Sequence, residues 1–474
     1  MGDKELERQA TLVTAPQKYK YNFWDREIKS QRTVYLKAAL IGGLVILVLQ
    51  VFTIMPFYWG SLYKEYSLIP NLRALVLDLD GSAIGTSISS ALLSSNHGTH
   101  THGTGVANLK AWLGWEPYTS GSMPPSGFGS DEEALEDARR QIEHEHAWVV
   151  VVIRTAATER LQTAFNGADA LWNSSDVVQV FYSQARNELA TGNFVVPYTT
   201  TILQRVNAHL AQSFGAQFLQ AASGLDVVRS LPIALLTQPV GYTLNNLHPY
   251  DQPLATVLTF VGLIYVMVFA FQTTMMTSAF QVAVADYLNI RSLILLRVSI
   301  SFIFYFFLSW AFAFLGLMFQ GDFNRHFGGA GFFLYWLGLF LGMSSVGLAL
   351  QALVTLLTVR FISILFVLIL LTNVSVSLLP FDLLPSVYEY GKAWPAYNLS
   401  RLVRSILFGT KNDLSLNYGI LLSWVAVSCV TLPLIQIWQR SKEVKAHEKL
   451  MAQSDPLSNG GLPSPAESIE KVRT

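Results

Sequence analysis

Six stretches of this chain are long and apolar enough to cross a bilayer, and they leave little freedom about its fold class. A span needs about 20 mostly apolar residues. The runs at 36–58, 254–272, 293–319, 331–353, 361–379 and 419–438 meet that condition. Inside hydrocarbon each backbone polar group must find its partner within the protein, so runs of this length cross as helices. Composition agrees, with 14% of residues charged, 51% hydrophobic and a mean hydropathy of +0.36. Soluble domains carry about 25% charge. So little charge with so much apolar surface excludes a disordered, collagen-like or nucleic-acid-binding chain. The net charge is zero, so no global field selects a partner.

The first span reads as a signal anchor: a long tail precedes it, and no small-x-small cleavage site ends it at Met55-Pro56-Phe57. Leu6 stands where a myristoylation motif wants Ser or Thr. The tail ahead of it carries Lys4, Arg8, Lys18, Lys20, Arg26, Lys29, Arg32 and Lys37, and Arg440, Lys442, Lys445 and Lys449 follow the last span. Six spans put both tails on one side, and positive flanks stay cytosolic. Lys392, Arg401, Arg404 and Lys411 then fall outside, against that rule. The expected organisation is a polytopic α-helical membrane protein with one span before, and five after, a large extracytoplasmic α/β (α+β) domain. Its parts are a cytosolic tail at 1–35, a transmembrane helix at 36–58, the outer domain at 60–252 and a five-helix membrane domain at 254–438. The last of these holds an amphipathic outer segment at 380–416, and a cytosolic, largely disordered tail follows at 439–474, rich in Pro, Gly and Ser from about Ser454.

The outer domain must be held by its own core, because the single cysteine, Cys429, cannot form an intramolecular disulfide. Its excess of acidic side chains reads as a solvated surface. Strands are expected at 73–77, 148–153 and 177–182, and helices at 85–93, 131–146, 156–165 and 195–219. Alternation of the two types predicts α/β packing. The Gly/Ser/Thr/Pro-rich stretch at 94–130 reads as a loop. Asn173-Ser174-Ser175 is a candidate glycan site. Asn398-Leu399-Ser400 lies too near the bilayer to be used, and Asn373-Val374-Ser375 sits inside a span.

Candidates for chemistry are few. Asp78-Leu79-Asp80-Gly81 looks like the start of haloacid-dehalogenase phosphatases, but no later segment supplies the Mg²⁺ site that chemistry needs; strand followed by turn is the preferred reading. His97, His100 and His102, with Glu143, His144, Glu145 and His146, lack the fixed spacing and ordered supporting partners of a metal site and read as solvated. There is no G-x-x-x-x-G-K-[ST], so no ATPase is encoded, and no cofactor or enzymatic activity is expected. Within the membrane, Gln351 and Asn373 are polar, and Arg360 is expected to snorkel to the headgroups. Asn373 either makes an interhelical hydrogen bond or lines a polar path. Gly338 and Gly342 form a GxxxG whose preferred reading is close helix contact within one chain.

From the fourth span onward the sequence becomes specific. It contains a Pro-rich step at Pro380 and Pro385, then Tyr388, Gly391, Ala393, Trp394, Pro395, Asn398 and Arg401, and a turn at Phe408, Gly409 and Thr410. This resembles the fungal nitrosoguanidine-resistance membrane proteins, and the segments at 58–81, 148–165 and 181–189 agree. The resemblance implies a layout like the permease half of ABC-2 type exporters, xenobiotic resistance and the plasma membrane, and it carries over no catalytic residue. Read by itself, the stretch from Tyr397 to Phe408 has Leu399, Leu402, Val403, Ile406 and Leu407 on one face and Arg401 and Arg404 on the other. That pattern predicts an amphipathic helix in the outer interface, anchored by Trp394, with both Arg side chains among lipid phosphates. Two functions follow: a permease-like protein acting on export or membrane composition, or a non-transporting scaffold. Membrane lipids and toxic small molecules are the expected ligands; a homodimer, a separate ATPase and a scaffold partner stay open.

Overall fold

The computed structural model describes residues 22–37, 44–97, 112–118, 128–165, 172–221, 235, 237–282, 284–285, 287–357 and 359–454. The N-terminal tail to residue 21, most of the expected loop at 94–130, His100, His102 and the tail beyond 454 lie outside them, as do the side chains of His97 and Arg360. The chain divides into two compact units, Met1–Gly60 and Ser61–Thr474. In the first, helix α1 (Lys29–Leu36) precedes α2 (Val45–Leu62), which carries Pro56 within it. Residues 38–43 of the span expected at 36–58 lie outside the described residues.

The second unit opens with a five-stranded sheet in the order β2-β1-β3-β4-β5. Its strands are β1 (Arg73–Asp78), β2 (Gly114–Pro117), β3 (Val149–Ile153), β4 (Val178–Tyr182) and β5 (Tyr242–Asn246). All pairings are parallel except β3 with β4, where Val149 faces Tyr182 and Ile153 faces Val178. Helices α3 (Ala83–Ser94), α4 (Asp131–Glu143), α5 (Ala157–Phe165) and α6 (Val196–Ala221) surround it. The period of two along each strand sorts the core into two faces. Leu75, Leu77, Val150, Val152 and Phe181 pack on α4, whereas Ala74, Val76, Val149, Val151 and Val180 pack on α3, α5 and α6. Covered on both faces, β3 is a continuous apolar run, as a buried central strand should be. Helix α4 starts where its sequence says: Ser130 accepts from the Glu133 amide and Glu133 accepts from the Gly129 amide, ahead of an acidic first turn.

Two strands correct the expectation. The stretch read as a loop contains β2, with Trp115 buried in the core, and β5 has no counterpart among the expected strands.

The helical part comprises α7 (Gly262–Val282), α8 (Ile290–Met318), α9 (Ala330–Leu357), α10 (Val359–Leu378), α11 (Pro395–Phe408) and α12 (Leu414–Ser454). Counting α2, six helices among the described residues are long and apolar enough to cross a membrane. The protein has the make-up of a polytopic membrane protein. Helix α9 is the hub, with 78% of its apolar stretch buried, and it packs against α7, α8, α10, α11 and α12. Gly338 and Gly342 allow this contact on one side: a Cβ there would meet Leu402 at 2.8 Å and Leu399 at 2.7 Å, both on α11 of the same chain.

Candidate functional site

The residues that made the C-terminal third distinctive assemble into a buried seam between the sheet domain and the helices. Helix α11 begins with Pro395 at its first turn and ends at Gly409, whose φ of 67° closes the helix in the left-handed region. Its start has no cap from its own flank; Asn373 supplies one from α10, accepting from the Ala396 amide at 3.1 Å while its own amide donates to the Ile369 carbonyl. Asn373 therefore makes an interhelical hydrogen bond. Asn398 is buried and donates to the Lys392 and Trp394 carbonyls, tying the preceding turn to the helix. At Gly391 a Cβ would lie 2.5 Å from that of Val376, so the turn can lie flat on α10. Tyr388, with Val376, Leu379, Leu383 and Leu384, belongs to the same apolar cluster as strands β1, β3 and β4. One core runs through both parts.

Charges are set into this core. Arg401 donates to both carboxylate oxygens of Glu145, at 2.6 and 2.8 Å, and to Asp413 at 3.3 Å. One turn further, Arg404 pairs with Glu188 at 2.6 Å and donates to the Ala185 carbonyl. Arg186 lies 3.7 Å over the Trp148 ring and donates to the Ala147 carbonyl, and Trp148 donates from Nε1 to Asp382. Asn187 donates to the Leu378 carbonyl across the same seam. A cavity of about 100 Å³ remains between Trp148, Arg186, Asp382, Tyr397 and Arg401.

Burial alone would push the Glu145 and Glu188 carboxyls up. The Arg401 charge and hydrogen bonds on Glu145, and those of Arg404 on Glu188, outweigh it and hold both below the ordinary glutamate range. Glu145 also sits at φ 61°, a left-handed conformation that costs a non-glycine residue about 1 kcal/mol or more. That strain places its carboxylate just beyond the end of α4, facing Arg401.

This geometry corrects the expectation of an interfacial helix whose Arg side chains bind lipid phosphate. Helix α11 is amphipathic, but its polar face covers the sheet domain, so Arg401 and Arg404 meet carboxylates of their own chain. Trp394 packs against Trp424 of α12, 5.2 Å between ring centroids, and is held by protein. Pro395, Phe408, Tyr388 and Gly391 are likewise buried.

The other candidates stay apart from the seam. Asp78 accepts from the amides of Asp80 and Gly81, and Asp80 accepts from the amides of Gly85 and Thr158 and from the Thr158 hydroxyl. Both carboxylates are thus engaged in a strand-to-turn lock. His144 and His146 stack on each other, and among the described residues no group of His, Cys, Asp and Glu is placed to hold a metal. Asn173 is exposed and caps its own turn. Within the spans, Gln351 donates to the Ser301 hydroxyl at 2.5 Å. The expectations from sequence pass over Arg297, although an arginine within a span is itself a signal. It is buried, donating to the Gln436 side chain at 2.5 Å and the Gln351 carbonyl at 3.0 Å.

Residues 43–430, spanning the sheet, the seam and the helical core, match a family described as a protein of unknown function, DUF3533. The chain belongs to that family. It is also similar to an uncharacterized endoplasmic reticulum membrane protein of Saccharomyces cerevisiae, 23% identical over 433 residues that cover 87% of this chain and 82% of the relative. No solved structure matches it significantly. These similarities establish a membrane protein family and leave nitrosoguanidine resistance, an ABC-2 relationship and the plasma membrane as matters of proposal.

Proposed function

We propose that this DUF3533 protein is a permease-like, non-enzymatic membrane component. It acts on amphiphilic molecules, either membrane lipids or lipid-soluble toxic compounds, and any ATPase that drives it is a separate chain. The observation that carries the reading is the seam. Helix α11 is gripped on one side by Glu145 and Glu188 of the sheet domain and lies on the other against Gly338 and Gly342 of the hub helix. Displacement of the sheet domain is therefore delivered to the centre of the bundle. A simple tether has no need to desolvate ions in this way, because burying a charge pair costs several kcal/mol per ion before any attraction is recovered.

Both termini are assigned to the cytosol and residues 60–252 to the lumenal or outer side, on the basic tails and an even number of spans. The resemblance favours the plasma membrane, and the yeast relative's description points to the endoplasmic reticulum. A glycosidase-sensitive mass shift lost in Asn173→Gln supports the sidedness; protease access to the C-terminal tail on intact cells overturns it.

Purified protein in liposomes, assayed for movement of a labelled phospholipid and a labelled lipophilic drug, tests the function. Movement by wild type that is lost in folded Arg401→Gln supports a seam-coupled permease. Absence of movement with nucleotide and membrane extract supplied, together with unchanged nitrosoguanidine sensitivity in deletion cells, discards it in favour of a scaffold.

A further inference from the structure

A second buried arginine, far from the seam in sequence, lacks what the seam arginines have. Arg297 of α8 spends two of its five N–H donors on the Gln436 side-chain oxygen and the Gln351 carbonyl, both neutral. Among the described residues no carboxylate pairs with it. A buried guanidinium without a counter-ion is costly unless one arrives from elsewhere.

The space for one is present. A cavity of about 210 Å³ opens between α7 and α8 against Arg297. Thr277 and Gln281 join it on the polar side, and Phe280, Leu296 and Ile300 line the rest. The Gln281 amide nitrogen is buried without a hydrogen-bond partner, a second donor left over at the same place. With the Arg297 guanidinium beside it, the ligand this wall suits is an anion with several oxygens.

Depth within the membrane selects the source of that anion. Helix α8 has 29 residues, about 43 Å of helix against about 30 Å of hydrocarbon. Arg297 follows Ile290 by seven residues, about 10 Å along the axis. In a centred helix its Cα then lies about 4 Å inside the hydrocarbon boundary, within reach of a headgroup phosphate. Phe280, Leu296 and Ile300 give the cavity an apolar side on which an acyl chain can lie. We propose that Arg297 and Gln281 bind the phosphate of an anionic phospholipid in the leaflet at the 283–289 end of the bundle, with its acyl chain along Phe280, Leu296 and Ile300. The site rests on observations separate from the seam, so it stands or falls independently of the permease reading.

Full-length protein in detergent is titrated with phosphatidic acid, with phosphatidylcholine of the same acyl chains and with inorganic phosphate, and adducts are read by native mass spectrometry. Wild type should prefer phosphatidic acid by about tenfold or more, the scale of a charge-assisted hydrogen-bonded pair. Arg297→Gln should lose the preference. Leu296→Trp, which fills the groove and keeps the cation, should weaken phosphatidic acid binding as well. If Arg297→Gln does not elute as a single folded species, Leu296→Trp and Gln281→Ala decide: weaker binding upholds the site, and unchanged binding overturns it. Equal affinity for phosphatidic acid in wild type and folded Arg297→Gln overturns it, as does full displacement of the lipid by inorganic phosphate, which would make this a free-anion site. Asp286 lies outside the described residues. A preference that emerges only in Asp286→Asn would identify an internal counter-ion and end the proposal.

Discussion

Arg404 and Arg297 are buried almost equally, at 4% and 5% exposure, yet they are partnered by opposite rules. Arg404 faces the Glu188 carboxylate at 2.6 Å, and its neighbour Arg401 holds both oxygens of Glu145. Arg297 faces an amide and a carbonyl. At the seam, charge answers charge within one chain, and removal of either member strands the other. In the bundle the cation is only half answered, and its removal strands no charge among the described residues. Burial therefore does not by itself say whether an arginine holds a fold together; the partner does.

The largest expected effect breaks the seam. Arg404→Gln leaves Glu188 buried and unpaired and should cost about 3–5 kcal/mol in thermal or denaturant unfolding in detergent. The double change Arg404→Met with Glu188→Leu should recover much of that loss, since well-packed apolar replacements of a buried pair are often neutral. A double variant no more stable than the single one would show that the pair holds nothing the packing does not.

Next comes the apolar side of the same seam. Gly391→Ala sets a methyl 2.5 Å from the Val376 Cβ and should cost about 1–3 kcal/mol by overpacking. Wild-type stability in that variant would mean that the turn lifts from α10 freely.

Acid tests the carboxylates without mutation. The folded pKa values of Glu145 and Glu188 lie below the ordinary 4.5, so near that pH the unfolded chain binds more protons than the folded one. Their contribution is full above about pH 4.5 and is lost as pH falls through the lower, folded values. Melting temperature should decline on that acid limb, and less steeply in Glu145→Gln, whose amide does not titrate there. A slope equal in wild type and variant would contradict this account.

The smallest effect sharpens the contrast. Arg297→Gln removes a cation with which no carboxylate among the described residues pairs, so without anionic lipid its cost should stay within about 1 kcal/mol, well below that of Arg404→Gln. A loss as large as the seam variant's would erase the distinction between the two arginines.

Much of the fold is legible in the chain by itself. Apolar runs of membrane length, the unbroken β-branched run of Val149–Ile153, the acidic start of α4 and the amphipathic pattern of Tyr397–Phe408 are local properties, and local physics reads them correctly. Strand β2 escapes such a reading because its four residues sit in a Gly/Ser/Thr-rich context, and β5 because its half-buried, polar edge carries no apolar run. The face of α11 is legible, but what lies against that face is not. An amphipathic helix beside a membrane is satisfied equally by headgroups or by another domain, and the pattern is the same in both cases. Only the tertiary structure brings Glu145, 256 residues away, to Arg401, and Glu188 to Arg404. Sequence spacing determines which side of a helix is polar; the long-range packing of the sheet domain determines which charges meet it there.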